Sequence, residues 1–267
     1  MSALSPPSGL ETILCSVSDG IARITLNRPD VHNAFNQAMQ SELAAAWQWC
    51  RADEDVRVVV LTGAGDQAFC TGIDRADIPE TEYDPFTYQD PGRKIGPKSQ
   101  QLWKPVIAAV NGMACAGGFY LLGESDIIVA AEGATFFDPH VSYMMTSAFE
   151  PILLTGRMGF GDLVRMSLVG VHERMSARTA REAGLVTEVV ALDELLPVSD
   201  EIARAVAASP SVSVQATLRT LWAARSLSSE QALALGNVFL QLGTSASALR
   251  EGQEAFTQRK SGNWKLR

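Results

Sequence analysis

Three short runs are apolar at nearly every position: Val56–Thr62 (VRVVVLT), Val106–Val110 (VIAAV) and Ile127–Ala130 (IIVA). A strand with one wet face alternates polar and apolar residues. A run without alternation reads as a strand buried on both faces, inside a sheet covered by helices. Strands of this kind, alternating with helical stretches over roughly the first 190 residues, point to an α/β core.

The flanking sequence fits that reading. Thr12–Ser18 and Ile21–Leu26 flank Asp19-Gly20, a hairpin signal. Asn36 is placed to cap a helix running to about Asp53, with Met39, Leu43, Ala46, Trp47 and Cys50 recurring at helical spacing. After Val190 the pattern changes. Leu195–Ser209, Val212–Ser226, Ser229–Leu242 and Ser245–Lys260 all have helical periodicity. The expected organisation is a tail over 1–10, a core over 11–194 and a helical region over 195–267. Within the core, Glu80–Pro97 is polar with three prolines and two glycines, and reads as a long loop over a site.

Composition narrows the class. A chain of 267 residues, 46% hydrophobic, can bury one sizeable core. No run of about 18 apolar residues occurs, so no membrane span is expected. Met1–Leu10 lacks a basic segment followed by an apolar one, and reads as a frayed tail rather than a signal peptide. The expected compartment is the cytoplasm. Cys15, Cys50, Cys70 and Cys115 are widely spaced, which suits free thiols in a reducing compartment. A net charge of −8 argues against a nucleic-acid surface. The basic C-terminal residues Arg250, Arg259, Lys260, Lys265 and Arg267 read as a solvated face or as a local patch for an anionic ligand. His32, His140 and His172 have no ligand spacing, so no metal is expected.

Two segments carry candidate chemistry. Ala68-Phe69-Cys70-Thr71-Gly72-Ile73-Asp74 follows a buried strand, and Asn111 to Gly118 follows another and opens a helix at Phe119–Glu124. Glycine at a strand-to-helix corner leaves backbone N–H groups unpaired and pointing outward. Two such groups aimed at one point would form an oxyanion hole. Taken singly, each glycine is equally compatible with an ordinary turn.

Together these segments resemble the crotonase (enoyl-CoA hydratase/isomerase) superfamily. The resemblance runs through Leu26-Asn27-Arg28-Pro29 to Asn33-Ala34-Phe35, Val58 to Gly63, Phe69-Cys70-Thr71-Gly72-Ile73-Asp74, and Lys104-Pro105-Val106-Ile107-Ala108-Ala109-Val110-Asn111-Gly112 followed by Gly117-Gly118. It continues through Ser125 to Ala130, Ala134 to Phe137, Ala183 to Val186 and Glu251 to Phe256, covering nearly the whole chain. It implies a crotonase-like spiral of ββα units with a helical C-terminal trimerisation region, as a trimer or a dimer of trimers. It implies an oxyanion hole from the N–H groups of Ile73 and Gly117, and an acyl-CoA substrate with no separate cofactor. Coenzyme A would lie near Arg28, His32, Ala34, Gly72 and Asp74, with Phe256 and Lys260 closing on it.

The reacting end departs from the family. The two glutamates usual in enoyl-CoA hydratases are replaced by Tyr120 and His140, and the usual Pro-Gly-x-Gly segment by Thr146-Ser147-Ala148-Phe149-Glu150. His140 has the reference pKa to exchange protons near neutrality, or is a packed, hydrogen-bonded histidine. Tyr120 is a hydrogen-bond donor or an aromatic packed under the site. Glu124, four residues on, shares its helix face and either hydrogen-bonds inward, as a candidate catalytic partner, or is a solvated or subunit-facing charge. Glu150 is a catalytic carboxylate or a first-turn glutamate favoured by the helix dipole. Asp138, before a proline, reads most simply as a turn residue. The readings ranked from these residues are an acyl-CoA lyase or isomerase with an atypical acid/base set, then a crotonase-type C–C (β-diketone) hydrolase, then a non-catalytic acyl-CoA binder.

Overall fold

A computed structural model describes residues 5–77 and 90–258. The chain divides into two compact units, one ending at Ala208 and the other beginning at Ser209.

The first unit opens with β1 (Ile13–Ser18) and β2 (Ile21–Leu26), an antiparallel hairpin with Ser18 opposite Ile21. Asp19 and Gly20 both have positive φ, the conformation this tight turn demands. Helix α1 (Gln37–Ala52) begins where Asn36 accepts a hydrogen bond from the Met39 N–H at 2.9 Å. The apolar runs become β3 (Val58–Gly63), β5 (Val106–Val110) and β7 (Ile127–Ala131). They join β2 and β10 (Glu188–Val190) in a six-stranded sheet of order β1-β2-β3-β5-β7-β10. All its pairings after the first hairpin are parallel.

Each long strand is followed by a short one: β4 (Ala68–Cys70), β6 (Met113–Cys115) and β8 (Thr135–Phe137). These pair with one another and with β9 (Met175–Ser176) in a second sheet of order β4-β6-β8-β9. Helix α2 (Gly118–Glu124) follows β6, and α3 (Phe149–Leu154) and α4 (Phe160–Val169) follow β8. Helix α5 (Ala177–Glu182) precedes β10. The long-strand, short-strand, helix succession is the expected spiral of ββα units.

The period of two explains why the central strands are apolar throughout. Val59, Leu61, Val106, Ala108, Val110, Ile128 and Ala130 enter one core with α1 and α2. Val58, Val60, Ile107, Ala109, Val129 and Ala131 enter another, covered by Leu195, Ala203 and Ala207 of α6 (Leu195–Ala207). Arg23 of β2 clamps α6 through Asp200 at 2.7 Å. The helical region expected from 195 onward is therefore divided. Its first helix completes the sheet's second face, and the second unit starts only at Ser209.

That second unit consists of α7 (Ser211–Ser226), α8 (Ser229–Gly243) and α9 (Ala246–Gln258). Ser228 and Gln231 form a capping box at the start of α8. Among the described residues, no single helix is long and apolar enough to cross a membrane. The four cysteines are free, and Cys50, Cys70 and Cys115 are buried.

Candidate active site

The two glycine corners meet. Gly72 has φ +91°, and a Cβ there would stand 2.7 Å from the backbone N of Gly117. Ala116, before Gly117, is held at φ +48°, a strained conformation for a residue with a side chain. Backbone pairing fixes the first corner, because Phe35 N–H donates to Gly72 O and Asp74 N–H to Phe35 O, each at 2.8 Å. Between those bonds, the Ile73 N–H donates to no protein group among the described residues. Neither does the Gly117 N–H, at the N-terminus of α2. Ile73 and Gly117 line one cavity of about 640 Å³ with Phe35, Tyr120, Phe137, His140 and Glu150.

His140 starts a short 3₁₀ turn directly after β8. Its Nδ1 lies 2.5 Å from Oδ1 of Asp138, a residue 1% exposed. Asp138 also accepts from the His140 N–H at 3.2 Å and from the Ser147 hydroxyl. Burial alone would raise the Asp138 pKa, but the hydrogen bonds from His140 and Ser147 outweigh it and hold it below the ordinary carboxylate range. An ionised Asp138 only accepts, so Nδ1 carries a proton and Nε2 becomes the acceptor of the neutral ring. The same hydrogen bond raises the His140 pKa against the opposing effect of burial. Nε2 lies 3.7 Å from Glu150 Oε1, beyond hydrogen-bond range. Burial pushes the Glu150 pKa up.

Tyr120 is buried on the cavity wall, and its hydroxyl donates to Asp90 Oδ1 at 2.8 Å. The backbone lies flat against the ring at Gly92, where a Cβ would stand 2.3 Å from ring carbons. Of the loop expected over Glu80–Pro97, the part from Asp90 is described, and it packs on Tyr120. Glu124 does not line the cavity with Tyr120. Its carboxylate accepts from the Ser99 N–H at 2.7 Å and from the Ser99 hydroxyl. Of the two expectations for Glu124, the structure shows the inward, hydrogen-bonded one and not the solvated charge: the side chain is buried, and the segment after Gly96 occupies its oxygens.

The expected coenzyme A residues fall into two groups. Arg28 forms an ion pair with Asp74 at 2.8 Å and donates to Ala34 O at 2.6 Å. Arg28, Ala34, Gly72 and Asp74 are thus one linked cluster, and the hydrogen bond from Arg28 depresses the Asp74 pKa. His32, at φ +54°, joins it through its carbonyl, which accepts from Thr71. Phe256 lies exposed on α9 of the second unit, and Lys260 lies outside the described residues.

Sequence reasoning passed over Asp90 and Arg75, and took Asp138 for a turn residue. Asp138 stands two residues before His140, which was a readable signal for a pair. The Asp90–Tyr120 contact had no local signal, since 30 residues separate the two. Cys115 also lines the cavity, but burial pushes its thiol up to about 12, so it is no thiolate nucleophile at neutral pH.

Known proteins match this chain in sequence and in fold. The chain is 31% identical to an (E)-benzylidenesuccinyl-CoA hydratase of Thauera aromatica over 250 residues, covering 93% of this chain and 97% of that one. It is 30% identical to a 1,2-epoxyphenylacetyl-CoA isomerase of Escherichia coli, covering 94% and 97%. Among solved structures, an enoyl-CoA hydratase/isomerase from Mycobacterium paratuberculosis superposes with a TM-score of 0.87 at 35% identity, over 97% of this chain and 100% of that one. The sequence profile of the enoyl-CoA hydratase/isomerase family matches residues 16–267. With the ββα spiral in place and relatives of both activities matched along nearly their full length, this chain is an enzyme of the enoyl-CoA hydratase/isomerase family, within the crotonase superfamily.

Proposed function

We propose that this enzyme binds an acyl-CoA thioester, stabilises an enolate on the thioester carbonyl, and moves a proton with His140. The observation that carries the reading is the pair of unspent N–H groups, Ile73 and Gly117, in one cavity with the Asp138–His140 pair. Preorganised backbone donors favour the charge that develops on a carbonyl oxygen, and losing one costs roughly 10²–10³-fold in rate. Neutral His140 takes a proton from the α-carbon at Nε2, and the electron pair moves onto the carbonyl oxygen. The imidazolium, stabilised by Asp138, returns that proton to the γ-carbon of a β,γ-unsaturated acyl group. Glu150 is the partner acid. Tyr120 supports the wall rather than the proton path, because its hydroxyl is spent on Asp90.

Coenzyme A itself is expected along the Arg28–Asp74 cluster, with Phe256 and Lys260 as further contacts. The relatives named as a hydratase and an isomerase of CoA thioesters support that substrate class. A homo-oligomer, trimeric or a dimer of trimers, is part of the same proposal. In its support, Leu221, Leu233, Leu240 and Leu242 of the second unit are exposed apolar side chains. A stable monomer in sedimentation at micromolar concentration contradicts that part.

A second reading is favoured by the Asp138–His140 pair, which suits activation of water for β-diketone cleavage. Arg28 is already paired with Asp74, so it does not by itself require a phosphate ligand. One experiment separates the readings: crotonyl-CoA hydration, β,γ-enoyl-CoA isomerisation and β-diketone cleavage, assayed side by side in wild type and His140→Ala. Isomerisation is expected to dominate and to fall with His140→Ala by roughly 10²–10⁴-fold. Fast crotonyl-CoA hydration that survives His140→Ala overturns the proton role of His140. CoA-independent diketone cleavage favours the second reading.

A further inference from the structure

The cavity holds a cationic group that the reaction above does not use. Arg75 lies on its wall, two residues beyond Ile73, in the short 3₁₀ turn Arg75–Asp77. Other arginines of the first unit are committed: Arg23 to Asp200, Arg28 to Asp74, Arg165 to Glu173, and Arg157 to the Gly123 carbonyl. Among the described residues, Arg75 donates to no carboxylate and no carbonyl. Its guanidinium instead stacks on the Tyr143 ring, 4.8 Å from the centroid. Stacking on a ring face leaves the edge of the guanidinium, with its forked N–H groups, available for a planar anion.

The surroundings suit an incoming carboxylate. The Tyr120 hydroxyl and His140 Nδ1 are already bonded to Asp90 and Asp138, so neither competes for Arg75's ligand or offers it a donor. Glu150, on the same wall, faces His140 Nε2 at 3.7 Å, so the imidazole stands next to its charge. Two residues of backbone span at most about 7 Å, which ties Arg75 closely to the N–H of Ile73. Both residues line the one cavity, so an anion held by Arg75 shares it with a carbonyl held at Ile73.

Resting on the acyl-CoA reading, we infer that the acyl group of the substrate carries a second carboxylate, a short dicarboxylic acid thioester, and that Arg75 is its anchor. Arg75 is then a specificity-determining residue. It holds the distal carboxylate in a forked hydrogen bond while the thioester carbonyl sits at Ile73 and Gly117. A charge-assisted pair of this kind favours the anionic acyl group over a neutral isostere by roughly 10- to 100-fold.

Calorimetric binding of three ligands tests this without turnover: succinyl-CoA, butyryl-CoA, which carries a methyl group in place of the distal carboxylate, and coenzyme A alone. Wild type is expected to bind succinyl-CoA about 10- to 100-fold more tightly than butyryl-CoA. In Arg75→Met that preference is expected to collapse, with the loss falling on succinyl-CoA. Circular dichroism confirms that the variant is folded, and Arg75→Lys serves as a second variant that keeps the charge without the fork. Equal binding of the two thioesters by wild type overturns the inference while leaving the acyl-CoA reading in place. Equal weakening of all three ligands by Arg75→Met also overturns it, because the guanidinium would then contact the coenzyme A phosphates. Binding of none of the three overturns the acyl-CoA reading, and this inference with it.

Discussion

Asp138 Oδ1 and His140 Nδ1 stand 2.5 Å apart, with the aspartate 1% exposed. That contact sets the tautomer of His140, raises its pKa and leaves Nε2 toward the cavity. On the proposed reaction, Asp138 acts through the imidazole as a positioning residue. Asp138→Asn is expected to lower turnover roughly 10²–10⁴-fold. It should also move the rising limb of the kcat/KM profile to lower pH, since the leading cause of the raised pKa is removed. A rate drop with an unmoved limb would indicate that Asp138 only holds the fold.

The wild-type profile follows from the sign of the shift. A base must be neutral, and the folded-state pKa of His140 lies above its usual value of about 6.5. Activity is therefore expected to rise with pH through an apparent pKa above 6.5, higher than an unperturbed histidine gives. Glu150→Gln removes a negative charge that favours the imidazolium, so its limb should lie below that of wild type. An upward move in Glu150→Gln would contradict this electrostatic picture.

At the touching corners, Gly117→Val should abolish detectable turnover. The added Cβ would stand 2.8 Å from Phe35 Cε1, so the ring or the N–H must move. Loss of one donor is worth roughly 2.7–4 kcal/mol of transition-state stabilisation. Circular dichroism is expected to report a folded protein, and wild-type rates in that variant would remove Gly117 from the site.

Glu124 predicts the opposite pattern. Glu124→Ala leaves the half-buried Ser99 N–H without its acceptor, at a cost of roughly 1–3 kcal/mol in denaturant unfolding. Turnover per folded molecule should change little, because the side chain does not line the cavity. A selective loss of kcat with unchanged stability would return Glu124 to the proton path.

Tyr120→Phe tests the wall. It deletes the hydrogen bond to Asp90 and keeps the ring packed against Gly92, so about 1 kcal/mol of stability should be lost. The rate is expected to stay within about tenfold of wild type, below the range for removing a positioned acid or base. A larger fall in kcat, with KM unchanged, would make its hydroxyl a proton donor.

The sequence by itself determined the elements and the family. The unbroken apolar runs could only be strands covered on both faces, and Asp19-Gly20 and Asn36 marked a turn and a helix start through local chemistry acting within four residues. The order of the glycine corners and the missing glutamates were equally legible, as was the presence of His140 at the second glutamate's place. Only the tertiary structure decided which side chains meet. Helix spacing placed Glu124 beside Tyr120, yet Ser99 holds its carboxylate and Asp90 takes the Tyr120 hydroxyl, contacts across 25 and 30 residues. Periodicity likewise grouped α6 with the later helices, although the second face of the sheet claims it. Turn and cap signals are set by neighbours along the chain. The partner of a buried polar group is set by whatever the fold packs against it, and no local pattern encodes that.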